Sequence, residues 1–264
     1  MTLPPTAPPS AAALAAPPAA RGRRAVVVLA AVALTLLTAR LGVWQLDRAA
    51  QKQALQAGRD AQASAPALAA GDLPTDEALA AAVHHRRITL SGQWSAAHTV
   101  YLDNRQMDGR PGFFVLTPLR LPDGSAVIVQ RGWLPRDMAD RSRIAPYRTT
   151  EGPVQVQARI APWPSRLTSL GEDAAGAIRQ NLDRPAFQRD TGLALRPLSV
   201  VELPHAGNAG DGLRRDWPPP AVDVHKHYGY AAQWFGLSAL TAGLYVWFQL
   251  LRPWRRARAG RSRG

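Results

Sequence analysis

The residues best suited to chemistry stand in the stretch HKHYGYAAQWFG, positions 225 to 236. Two imidazoles, His225 and His227, sit where a polar chain passes into an uncharged apolar run, and aromatic residues follow them into it. On a helix running from 227 onward, the 3.6-residue period places His227, Trp234, Ser238 and Tyr245 within roughly 20° of one line. Ala232, Gly236, Ala239 and Gly243 cluster on nearly the opposite face, as a small-residue stripe that lets membrane helices approach closely. The pattern predicts that the small stripe receives another helix and that the His227 face stays open. An imidazole above an aromatic track can be an axial ligand to haem iron, and the apolar macrocycle suits a groove at membrane depth. The same residues also suit a plain interfacial anchor, because Tyr and Trp gather at membrane edges and a histidine there can simply meet headgroups. Spacing alone leaves both readings open.

Other chemistry-bearing residues are less organised. His84 and His85 are adjacent, so their side chains diverge and lack the spacing of metal ligands. Asp103, Asp108, Asp123 and Asp183 lie near turn signals, where Asp caps backbone groups. Arg105, Arg110 and Arg131 either gather as an anion site or remain solvated loop and strand-end charges. Asn104 and Gly132 read as turn or bulge residues. No GxSxG elbow and no Gly-rich phosphate loop occurs, and these absences speak against a hydrolase or a nucleotide enzyme. The chain has no cysteine, which excludes disulfides, CxxC redox chemistry, thiolate metal sites and CxxCH haem attachment. Only Met1, Met107 and Met138 offer thioethers, too few for a Met-based copper carrier.

Two apolar runs must position the histidines. One covers about 25 to 46 and the other about 228 to 251, and each is long enough to cross a bilayer, which takes roughly 20 residues. Arg40 is the single charge in the first run. A cleaved signal peptide is the rival reading of that run, disfavoured by the bulky Leu37 before a cut after Ala39. The net charge of +13 suggests nucleic acid until its distribution is read. Arg21, Arg23 and Arg24 precede the first run, and six arginines from Arg252 to Arg263 follow the second. Basic residues flanking membrane helices mark the cytoplasmic side, so both termini are expected there, and no nucleic-acid partner is expected.

The predicted organisation is a disordered cytoplasmic tail (1–24), a first transmembrane helix (25–46), a β-rich periplasmic domain (47–226), a second transmembrane helix (227–251) and a basic cytoplasmic tail (252–264). The first helix is expected to run on through DRAAQKQALQAGRDAQA, which has strong helix formers and no proline before Pro66. A short helix is expected over 74–83, with Thr75 as N-cap. Strands are expected over 87–94, 99–106, 113–121, 126–135, 154–161 and 198–203, and a short helix or turn over 184–192. Residues 205–220 read as a loop. The fold class is α+β, with two transmembrane helices flanking a β-rich extracytoplasmic domain.

Five segments recur in a recognisable order: LGVWQLDRAAQK (41–52), DNR (103–105), PGFFVLTPL (111–119), VQRGWLP (129–135) and HYGYAAQWFG (227–236). Between two terminal membrane helices they resemble the Surfeit locus protein 1 family, assembly factors of haem-copper terminal oxidases. The resemblance covers nearly the whole chain apart from the tails. It implies a non-enzymatic role in maturing subunit I of cytochrome c oxidase, in the inner membrane of a bacterium and in contact with membrane lipid. It further implies that haem a is bound and handed on from haem A synthase. The alternative is a scaffold that holds unassembled subunit I without haem. The family pattern HxxYxxxWF falls on His227, Tyr230, Trp234 and Phe235, which makes His227 the implied iron ligand and Tyr230 and Trp234 its companions. Gln130 departs from the family's usual Asn before Arg-Gly-Trp, and Arg40 is an unusual charge beside LGxWQ.

Overall fold

The computed structural model describes residues 18–167, 176–217 and 223–261. Most of the Pro/Ala tail and the three prolines at 218–220 lie outside these residues. The chain divides into two compact units, one of residues 1–53 with 222–264, the other of residues 54–221.

The first unit is built on two long helices. Helix α1 runs Pro18–Ser64, so it starts ahead of the expected 25 and, as expected, continues past 46. Pro18 is tolerated in a first turn, which needs no N–H there, and the helix stops just before Pro66. Helix α4 spans Val224–Tyr245, continues as one π-helical segment over Val246–Leu251, and becomes α5 over Arg252–Arg261. The segments Gly22–Ser64 and Val224–Arg255 are each long and apolar enough to cross a membrane.

Among the positions of α1 shielded from solvent, Ala31, Thr35, Thr38, Gly42, Gln45, Ala49 and Lys52 form a series spaced alternately by four and three residues, with Ala39 and Leu41 shielded beside it. On α4 Val224, His227, Ala231, Trp234, Ser238, Thr241 and Tyr245 keep the same rhythm, with Ala242 shielded beside them. A 3.5-residue period is the seam of two helices wound on each other. Ser238 Oγ donates to the Thr35 carbonyl at 3.0 Å across that seam.

The second unit is β-rich. Strands β1 (Arg87–Trp94), β2 (Val100–Met107), β3 (Arg110–Arg120), β4 (Ala126–Pro135), β5 (Pro153–Ala161), β6 (Ile178–Arg179) and β7 (Leu195–Glu202) form one sheet in the order β1-β5-β7-β4-β3-β2-β6. The sheet also closes. β3 pairs with β2 over its first part, and its Leu119 and Arg120 then pair with Trp94 and Gln93 of β1. Five strands thus make a ring. Asp108 and Gly109, both at positive φ, form the two-residue turn between β2 and β3, the chemistry an Asp-Gly pair supplies. β4 is buried on both faces and therefore reads as a continuous apolar run. Its Val127 and Val129 face the cluster of Ile88, Leu90, Val156, Ile160 and Val200, while Ala126 and Ile128 face Leu102, Leu116 and Phe187. Phe187 lies on the short helix α3 (Arg184–Thr191).

Helix α2 covers Glu77–Ala82, and its N-cap is Asp76 rather than the expected Thr75. The Asp76 carboxylate accepts from the backbone N–H of Ala78 at 2.8 Å and of Leu79 at 3.2 Å. A charged acceptor next to the first turn outcompetes a hydroxyl one residue further away.

Candidate functional site

His227 sits in the first turn of α4 and is only partly exposed. Its Nδ1 lies 2.7 Å from Oε1 of Gln45 on α1. An amide oxygen can only accept, so the imidazole donates from Nδ1–H. In the neutral ring this bond selects the tautomer with its proton on Nδ1 and its lone pair on Nε2. Histidines that bind metals are held in this way, by a hydrogen bond from the other ring nitrogen to an oxygen. Eight residues further along, the Phe235 ring lies against Gly42, so close that a Cβ on Gly42 would stand 2.8 Å from the ring. Gly42 and Gln45 occupy one face of α1, three residues apart. Glycine admits the ring, and the approach brings the amide to the imidazole.

The profile of the SURF1 family matches residues 32–239 of this chain. The chain belongs to the SURF1 family. A SURF1-like protein of Rickettsia felis is 23% identical over 221 residues, which cover 81% of this chain and 92% of the relative. A SURF1-like protein of Monosiga brevicollis is 23% identical over 238 residues, 83% of this chain and 86% of the relative. Surfeit locus protein 1 of Arabidopsis thaliana is 31% identical over 210 residues, 75% of this chain and 54% of that protein. The resemblance carried by the five motifs is borne out. SURF1 proteins are generally linked to cytochrome oxidase assembly and act as assembly factors rather than catalysts.

Within that match, the LGxWQ segment and the HxxYxxxWF segment are two halves of one contact. Gly42 and Gln45 come from the first, and His227 and Phe235 from the second. Gln45 escaped the reading of the sequence. The signal was its place in the same short motif as a glycine, which marks a close approach. Trp234 is half-buried on the seam below His227, whereas Tyr230 is 52% exposed and stands off it. His225 is exposed and makes no hydrogen bond among the described residues.

The expected division of α4 into faces is reversed. The seam carries His227, Trp234, Ser238 and Tyr245, while a Cβ on Gly236 or Gly243 would meet open space. The reason is that α1 supplies the close approach itself, through Gly42, and offers the Thr35 carbonyl to Ser238. The aromatic and hydroxyl track below His227 is therefore taken up by α1.

The three candidate arginines do not gather. Arg105 is buried, its Nη2 donating to the carbonyls of Ser165 at 2.9 Å and Gln180 at 3.3 Å, and its own carbonyl accepts from Trp133 Nε1 at 2.8 Å. Arg131 is buried under Trp94, with its guanidinium 4.6 Å from that ring. Only Arg110 is exposed. Asn104, at positive φ, and the stretch beside Gly132 are bulges, as expected. Gly132 is needed because a Cβ there would lie 2.7 Å from Leu213. His84 and His85 stand with ring centroids 6.4 Å apart, and the described residues hold no group of three metal-binding side chains.

The second unit contains a buried ion network. Arg215 reaches Glu202 at 3.2 Å and Asp211 at 2.5 Å, Arg131 stands 4.0 Å from Asp211, and Asn208 Nδ2 donates to Glu202 Oε1 at 3.0 Å. Burial works against the Asp211 charge, but the hydrogen bonds from Arg215 and the Leu213 N–H, with both guanidinium charges, hold its carboxyl below the usual range. Such a group stabilises the fold above the ordinary carboxylate range of about 4, and this stabilisation is lost as pH falls through the lower folded value. Arg215→Met strands Glu202 without its cation and is expected to cost about 3–5 kcal/mol. Thermal unfolding of the purified full chain checks this. Arg215→Met combined with Glu202→Leu should recover part of the loss, since Glu202 is then removed together with its cation while Asp211 keeps Arg131 at 4.0 Å.

Proposed function

We propose that this chain is a two-pass protein of a bacterial inner membrane that binds haem a on His227 and passes it to subunit I of cytochrome c oxidase. The single observation that carries the proposal is the hydrogen bond between His227 Nδ1 and Gln45 Oε1 at 2.7 Å. With Nδ1–H on Gln45, Nε2 is the ring nitrogen turned toward a ligand, and it is the atom that would ligate iron. Gln45 orients the ring, and α1 holds Gln45 through the Gly42–Phe235 contact. Haem is cargo on this reading, received from haem A synthase, and its iron supplies a coordination site for the imidazole. Tyr230, 52% exposed and one turn along α4, offers aromatic surface to an apolar macrocycle, while Trp234 packs on the seam below His227.

Both termini are cytoplasmic on this reading and residues 47–226 periplasmic, because the basic residues flank the two apolar segments on their outer sides. Reporter fusions at the C-terminus should give cytoplasmic signals, and fusions near residue 150 periplasmic ones. Function is tested by complementation. In a strain lacking the gene, the wild-type chain should restore the haem a absorbance and oxidase activity of membranes. His227→Ala should restore a small fraction of either while accumulating to normal levels. Full restoration by His227→Ala would favour a scaffold that holds subunit I without haem.

A further inference from the structure

Between the two helices of the first unit lies an apolar groove of about 180 Å³, lined by Ala31, Val32, Thr35 and Leu36 of α1 and by Ala242 and Tyr245 of α4. It exists because both helices present alanine where they face each other, whereas nearer His227 the Phe235 ring fills the space above Gly42. Water is a poor filler. It needs two to four polar partners, and the Thr35 carbonyl already accepts from Ser238. Ala242 lies fifteen residues from His227, roughly 22 Å along the helix, so the groove is distinct from the proposed haem site.

Charge stands at the same end of the hairpin. Arg24 is seven residues before Ala31 and eleven before Thr35, within roughly 20° of the line they define and about 10 Å beyond Ala31. On the other helix the Arg252 guanidinium lies 5.8 Å from the Phe248 ring, and that of Arg258 lies 4.0 Å from the Trp254 ring. An apolar slot with arginines further along the same two helices, two of them beside aromatic rings, matches a long hydrocarbon chain carrying an anionic head. We propose that the groove holds one acyl chain of an anionic phospholipid whose phosphate meets Arg24 and Arg252. This rests on the membrane placement proposed above and not on the haem reading.

The test uses the full chain, purified without haem and reconstituted in nanodiscs of mixed phosphatidylglycerol and phosphatidylcholine. Native mass spectrometry of the released protein reads the lipid retained. Phosphatidylglycerol should be retained severalfold over phosphatidylcholine. Arg24→Gln with Arg252→Gln should abolish that preference, Ala242→Phe should fill the groove and lose the retained lipid, and Ala239→Phe, on the open face, should retain it. Equal retention of the two lipids by the wild type, or retention unchanged by Ala242→Phe, would overturn the proposal. So would displacement of the lipid on haem loading, which would assign the groove to haem's own apolar substituents. Because lipid is first measured without haem, failure of the haem reading leaves a positive lipid result standing.

Discussion

Gly42→Leu is expected to part the two helices of the first unit and remove most of the protein from the membrane, whereas Gly236→Leu is expected to do little. The contrast follows from where the space is. A Cβ on Gly42 would stand 2.8 Å from the Phe235 ring, while a Cβ on Gly236 meets nothing within 4 Å. The ring can swing aside for a methyl group. A leucine must itself find room on the seam, between Thr38 and Gln45 on α1 and against α4. Overpacking of this kind costs about 1–3 kcal/mol, a several-fold or larger loss for a marginal structure. The same displacement pulls Gln45 from His227, so any residual protein should also have lost the site. Immunoblots of membranes from matched cultures measure the first effect. The chain has no cysteine, so disulfide trapping of Cys introduced at 45 and 227 measures the second. Equal losses from the two substitutions would mean that the seam has been placed on the wrong side of α4.

How much of this was legible in the sequence depended on how local the physics is. β1 and β4 were expected over 87–94 and 126–135 and run Arg87–Trp94 and Ala126–Pro135. Their β-branched runs and bounding turns are self-contained signals. β6 went unread because two residues have no period; Ile178 and Arg179 are a strand only through their parallel pairing with β2. Closure of the ring through Trp94 and Leu119 is likewise a property of distant residues meeting. The arginines were expected either to gather as an anion site or to stay solvated, yet Arg131 and Arg105 are buried apart, because carboxylates, carbonyls and aromatic rings far along the chain offset their desolvation. The face of α4 was misread for a related reason. A stripe of small residues shows that a helix can be approached, but the partner decides which face is used, and here α1 brought its own glycine. His227 was singled out from its position at the head of an apolar run. Gln45 could be linked to it only once the two helices were placed side by side.

The central claim is that His227, held by Gln45, presents Nε2 to haem iron. The most direct measurement is the absorption spectrum of the full chain purified after co-expression with haem A synthase, beside three variants. Wild type should carry haem a. His227→Ala should abolish or shift its spectrum without affecting membrane insertion. Gln45→Leu should weaken haem affinity by about 10–100-fold, as the loss of an orienting hydrogen bond does at other histidine–metal sites. His225→Ala should match wild type, because two residues along a helix turn a side chain by roughly 200°, away from the seam. A wild-type chain without haem, or His227→Ala and His225→Ala with equal effects, would contradict the account.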